Sequence, residues 1–139
     1  MKALTIRQPW AELIVTGKKD IENRTWKTNY RGRVLIHASK SACTRRGLVN
    51  YPLPALKNSV NLEEYSMEDY LCGAIIGSVE IVDCVQNHPS EWAEKGVYNW
   101  VLANPILFDE PIMNIKGSLG LWEYGDDKAI SMLTSKNTK

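Results

Sequence analysis

A chain of 139 residues with 44% apolar side chains and a formal net charge of +1 is the size and make-up of one globular domain. No stretch approaches the roughly 20 apolar residues of a membrane span, and the opening MKALTIRQPW is polar where a secretory signal needs an apolar run. Cys43, Cys72 and Cys84 form an odd count without CxxC spacing, which argues against a disulfide framework or a zinc site and for thiols in a reducing cytoplasm, the expected location. The near-neutral total hides an asymmetry. Residues 1–50 carry eleven Lys and Arg against three Asp and Glu, a net +8, and the remainder carries −7. A basic half beside an acidic half is the pattern of a surface that meets a polyanion, with an acidic face opposite; scattering of these charges by the fold is the alternative.

In chain order, KALTIR at 2–7 reads as a short strand. QPWAELIVTG reads as a helix, with Pro9 at its first position, Gly17 as its stop, and Trp10, Ala11, Leu13 and Ile14 on one apolar face. Residues 19–24 and 33–38 read as paired strands joined by TNYRG, where Gly32 is free to take positive φ. Within 40–72, SACTRRGLV and LEEYSMEDYL have helical spacing, and YPLPALKNS, with its two prolines, is irregular. A long strand is expected at 73–85, with Gly73 and Gly77 marking bends or close backbone approach. HPSEWAEKG reads as a short capped helix, YNWVLANP as a strand, and ILFDEPIMNIKGSLGLWEY as two short strands separated by KGSLG. About six strands with one N-terminal helix and short inserted helices make an α+β domain built on a small barrel, spanning 1–125, with a partly flexible tail at 126–139.

The segment GKKDIENRTW, 17–26, concentrates charge of both signs between the helix and the strands. In a strand, Ile21 and Asn23 share one face and Glu22 and Arg24 the other. Ile21 is then a core anchor, and Glu22 and Arg24 point together into a groove or into water. Lys19, at the turn before the strand, has no face fixed by parity. Arginine offers a planar fork to phosphate or base acceptors, lysine a mobile charge, and glutamate an acceptor for an exocyclic amine or a general base. A surface Glu–Arg ion pair, contributing about 0–1 kcal/mol, is the plainer reading of the same residues.

QPWA at 8–11, GKKDIENRTW, YRGR at 30–33, GAIIGSVEIVDC, WVLANP and KGSLGLWEY together resemble the ASCH domain family over residues 3–124, with 41–72 poorly covered. That resemblance implies a PUA-like barrel and an RNA- or nucleotide-related cleft. It makes Lys19, Glu22 and Arg24 accessible groups of a concave site, joined by Gln8, Trp10, Trp26, Arg31, Arg33 and Ser118 as nucleic-acid-binding residues. Trp26 serves either as a stacking platform, at about 1–3 kcal/mol per base, or as barrel packing. Trp10 belongs to the core or to the cleft wall. Trp92, Trp100 and Trp122 are assigned to packing, although the loop before Trp122 brings backbone N–H groups close to a ligand. His37 shares a face with Arg33 and is either a general acid or base or a hydrogen-bonded structural histidine. Two distant histidines without clustered carboxylates point to no metal, and no motif calls for a cofactor.

One branch of the resembled family comprises bacterial amidohydrolases acting on N4-acetylcytidine with a lysine, a threonine and a distant glutamate. Lys19, Gly17 and Arg24 match the lysine and its neighbours. Glu22 stands where the threonine is expected, and Glu91 and Glu94 lie in about the region of the glutamate. A second branch is linked to ribonuclease activity, for which Lys19, Glu22 and His37 are the available acid–base groups. The expectation is therefore a module binding RNA, single-stranded nucleic acid or a modified nucleoside. A hydrolase in the same cleft is the alternative. A protein-interaction domain, with a partner in a transcription or translation context, is third.

Overall fold

A computed structural model describes residues 1–40 and 71–125 of the chain. The expected helices within 40–72 and the expected tail at 126–139 lie outside these residues, apart from the first and last of the middle segment. The elements are β1 (Lys2–Ile6), α1 (Trp10–Val15), β2 (Ile21–Arg24), β3 (Gly32–Ala38), β4 (Ala74–Val85), β5 (Tyr98–Ile112) and β6 (Leu121–Glu123). The strands form one curled sheet in the order β2-β5-β4-β3-β1-β6, a half-barrel carrying one short helix.

Near-continuous apolar runs in β1, β3 and β4 reflect burial on both faces. Leu4, Ile6, Val34, Ile36 and Trp100 pack with Ala11, Ile14 and Val15 of α1 on one side. Ala3, Leu35, Ile75, Phe108 and Ile112 form a second cluster with Trp122. Helix α1 begins one residue later than expected, because Pro9 is the cap and Gln8 Oε1 accepts from the Glu12 amide at 2.9 Å. Gly17, at φ +82°, ends the helix, and the amides of Lys18 and Lys19 turn back to the Leu13 carbonyl. Gly77 is required by close approach. A Cβ there would lie 2.2 Å from the Ile106 carbonyl oxygen and 2.8 Å from Val15, so neither β5 nor α1 could pack as it does.

Four expectations are corrected. The charged strand β2 does not pair with β3; it pairs antiparallel with β5, matching Glu22 to Trp100 and Asn23 to Asn99, while β3 lies between β4 and β1. The ring of polar contacts explains this choice, since Asn99 Nδ2 donates to Asn23 Oδ1 at 2.8 Å and the Trp100 indole to the Trp26 carbonyl at 3.2 Å. Next, β5 runs unbroken through Pro105 and Pro111, because β2 covers only Tyr98–Val101 and leaves that edge without a ladder to interrupt. HPSEWAEKG forms turns rather than a helix, with the Ser90 amide bound to His88 Nδ1 and the Trp92 amide to Ser90 Oγ. Finally, Cys72 is disulfide-bonded, so the three cysteines are not all thiols, whereas Cys84 is free and buried.

Strand parity holds at the anchor: Ile21 is 0% exposed. Ile21→Ala is expected to cost about 2–5 kcal/mol in urea or thermal unfolding; unchanged stability would remove its role as the anchor of β2.

Candidate nucleic-acid interface

The turn after α1 carries Lys19 inward. The Trp92 indole donates to the Lys18 carbonyl at 3.0 Å, and Trp10 and Trp92 meet edge to face with centroids 6.3 Å apart. Lys19 Nζ sits in the resulting notch, 6.0 Å from one ring centroid and 5.8 Å from the other. It donates to the Ile21 carbonyl and lies 3.6 Å from Glu22 Oε1. Burial pushes its pKa below that of an ordinary lysine, and the Glu22 carboxylate opposes the shift.

Glu22 Oε2 in turn receives Arg24 Nε at 3.0 Å and Nη2 at 2.8 Å. The same Nη2 donates to the Thr5 carbonyl at 3.1 Å. That carbonyl is free to accept because β6 pairs with β1 only at Lys2, Ala3 and Leu4. Lys19, Glu22 and Arg24 are thus brought together, but as a shielded network. Lys19 is 4% exposed and Glu22 9%, so the accessibility expected of these two does not hold; Arg24 is only partly covered. The reason is local. The Glu22–Arg24 face turns toward Trp100, and Trp10 and Trp92 roof the lysine.

The other expected residues divide. Trp26 is 39% exposed and also packs edge-on against Trp100 at 4.6 Å, so it is both wall and available surface. Gln8 is buried and occupied, its Nε2 donating to the Leu71 carbonyl. Arg31 is half-exposed, bound to the Thr28 and Tyr30 carbonyls and 3.7 Å from Asp83. Arg33 donates to Ser78 Oγ at 2.9 Å. Ser118 is exposed in the loop before β6.

His37 has the partners that the sequence did not disclose. It lies beside Thr5 in the parallel β1–β3 register, with Nδ1 3.2 Å from Thr5 Oγ1 and Nε2 2.6 Å from the Ile115 carbonyl. The Trp122 indole reaches the same Thr5 Oγ1 at 3.1 Å. An indole N–H only donates and a carbonyl only accepts, so two of the three directions are fixed. Trp122 donates to Thr5 and His37 Nε2 donates to Ile115; in the neutral ring Thr5 then donates its hydrogen to Nδ1. Burial holds the His37 pKa below the ordinary value against the pull of the Ile115 carbonyl. Thr5 and His37 floor an open pocket of about 570 Å³, walled by Ser39, Lys40 and residues 114–119. Thr5, Lys40 and Lys116 were not singled out from the sequence; the available signal was a lone threonine in the otherwise apolar run ALTI.

The family model of the ASCH domain matches residues 4–112. This chain belongs to the ASCH domain family. Activating signal cointegrator 1 from Homo sapiens and from Mus musculus are each 32% identical to it over 83 residues, 59% of this chain and 14% of each relative. The chain therefore matches only a small part of these longer proteins. Two crystal structures from Zymomonas mobilis, ASCH and a mutant of ZmASCH, superpose on the ASCH domain with TM-scores of 0.58 and 0.60 at 14% and 13% identity. Each covers 96% of this chain, and 93% and 96% of the respective structure is matched, which shows a shared fold. Among the described residues no helix is long and apolar enough to cross a membrane, and no group of three His, Cys, Asp or Glu is placed to hold a metal.

Two measurements test this network. Arg24→Met removes the charged hydrogen bonds to Glu22 and Thr5 and is expected to cost about 1.5–3 kcal/mol in denaturant unfolding. For His37 the folded pKa lies below the ordinary 6.5, so protonation favours the unfolded chain. The stability tied to the neutral ring is full above that value and is lost as pH falls through it toward the lowered pKa. Thermal unfolding should show this loss on acidification, and His37→Gln should flatten the profile over that window.

Proposed function

We propose that this ASCH domain is an RNA- or nucleotide-binding module whose cleft is built on the GKKDIENR segment and acts in the cytoplasm. The observation that carries the reading is a fixed guanidinium beside an exposed indole. Arg24 lies 6.0 Å from the Trp100 ring, and Trp100 braces Trp26 edge-on at 4.6 Å. A base stacked on the open part of Trp26 would meet an aromatic surface held in place from behind, next to the charged strand β2. Glu22 holds the planar Arg24 guanidinium in place, so little side-chain entropy is lost when a ligand arrives. Membership of the ASCH family, which as a class is associated with RNA, supports the same conclusion, although fold alone is a weak warrant for function. The partner class is RNA, single-stranded nucleic acid or a modified nucleoside; the similarity to a signal cointegrator leaves a protein partner in transcription or translation as the competing outcome.

A second reading, a small hydrolase in the same cleft, is favoured by one feature: a buried lysine whose pKa is lowered and whose neighbour is a carboxylate. The hydroxyl nucleophile of the amidohydrolase branch is absent from position 22, where this chain has Glu22.

Titration of single-stranded RNA against tryptophan fluorescence should give a log–log salt plot with a slope of about −0.7 per neutralised phosphate. Trp26→Ala should weaken binding by about 1–3 kcal/mol with little change in that slope. A flat salt plot would favour the protein-interaction reading. Because Glu22 holds Arg24, Glu22→Gln is expected to weaken RNA binding with no loss of turnover. A fall in hydrolysis of an acylated cytidine or RNA by about 10²–10⁴-fold, with binding intact, would install the hydrolase instead.

A further inference from the structure

We infer that the pocket floored by Thr5 and His37 is a phosphate-binding subsite, taking the phosphate of the nucleotide or RNA whose base meets Trp26. This inference rests on the nucleotide-binding reading and adds to it a second site that the charged segment does not contain.

The distribution of free charge carries the argument. The cations expected to hold phosphate are largely occupied: Lys19 and Arg24 by Glu22, and Arg31 by Asp83. The pocket wall instead holds Lys40 and Lys116 with no carboxylate among its described lining residues, and neither lysine has an acidic partner among the described residues. Its volume of about 570 Å³ lies within the range of small-molecule sites.

The pocket is also shaped by contacts that a side chain would destroy. A Cβ on Gly73 would lie 2.7 Å from Lys40 Cε and 2.9 Å from its Cγ, so the lysine stem rests directly on that glycine. A Cβ on Gly117 would lie 2.6 Å from Thr5 Oγ1 and 2.8 Å from His37 Nδ1, so the loop is seated on the floor. The Ile115 amide fixes the loop to the Gly73 carbonyl at 2.9 Å. Trp122, Thr5, His37 and Ile115 use the donors of the floor among themselves. Recognition therefore falls to the rim, where two ammonium groups and the Ser118 hydroxyl suit a tetrahedral anion. The base platform is close by: the Cβ direction of Gly120, two residues past Ser118, ends 3.9 Å from Trp26 Cζ2.

The test compares nucleosides, nucleoside 5′-monophosphates and inorganic phosphate by calorimetry and amide NMR, using the wild type and the Lys40→Gln/Lys116→Gln double variant at matched thermal stability. Expected is at least a tenfold advantage of monophosphates over nucleosides at low salt, lost in the double variant while nucleoside binding persists. Equal binding of both ligands by the wild type, or an advantage that survives in the double variant, overturns the subsite and leaves the general nucleotide reading standing. If neither RNA nor nucleosides bind, that reading falls by itself. Inorganic phosphate then decides the subsite: shifts of the 114–119 amides in the wild type alone support it, and their absence overturns it.

Discussion

Among the described residues the sheet ends in two edges that do not pair, β2 and β6, and the Arg24 guanidinium reaches from β2 to a β1 carbonyl beside β6. Its Nε and one Nη are held by Glu22, and that Nη also reaches the Thr5 carbonyl, one residue past the last position β6 covers on β1. An arginine can do this because its donors are planar and fixed in direction; a lysine would offer a single mobile charge. The same threonine holds His37 and receives Trp122 through its side chain. Polar contacts thus run unbroken from Lys19 in its tryptophan notch, through Glu22, Arg24 and Thr5, to His37 and Ile115 at the pocket floor. The charged segment and the pocket are two ends of one structure, and both depend on the curl being closed.

Burial decides what these charges are for. Lys19 and Glu22 are nearly out of water, where an unpaired charge is costly and a paired one is tolerated when its remaining donors are met. Each is met: the lysine by a carbonyl, a carboxylate and two aromatic faces, the glutamate by both cations. Such a network orients groups rather than attracting a polyanion from a distance. Long-range attraction belongs to exposed and unpaired charge.

Among the described residues, some charges of the basic half are paired with charges of the acidic half. Arg31 meets Asp83, and Lys2 and the chain amino group meet Glu123, so parts of the two halves neutralise one another across the fold. The similarity to structures at 13–14% identity concerns backbone architecture. It leaves the chemistry to the particular side chains that this chain places on that backbone.

Much was legible because it is local. Pro9 and Gly17 bracket the helix through backbone geometry, and period-two alternation separates Ile21 from Glu22 and Arg24 whatever strand lies alongside. Gly77 announced a close approach, and the polar–apolar patterns located most strands. Parity does not name a strand's partner, and so TNYRG read as a hairpin while β2 in fact crossed to β5. Nor does composition say which lysine is roofed. Trp10 and Trp92 lie far apart in the chain and close over Lys19 only when α1 and the turn after β4 are docked together. The Trp122–Thr5 hydrogen bond joins residues 117 positions apart and makes a hydrogen-bonded floor out of a threonine that looked incidental. The sequence by itself determined most of the helix and strand segments and which way adjacent side chains alternate, because those follow from neighbours within a turn or a pleat. Strand order, the burial of Lys19, and the joining of Thr5, His37 and Trp122 were decided only by the tertiary structure, because they depend on contacts between distant segments that no local pattern specifies.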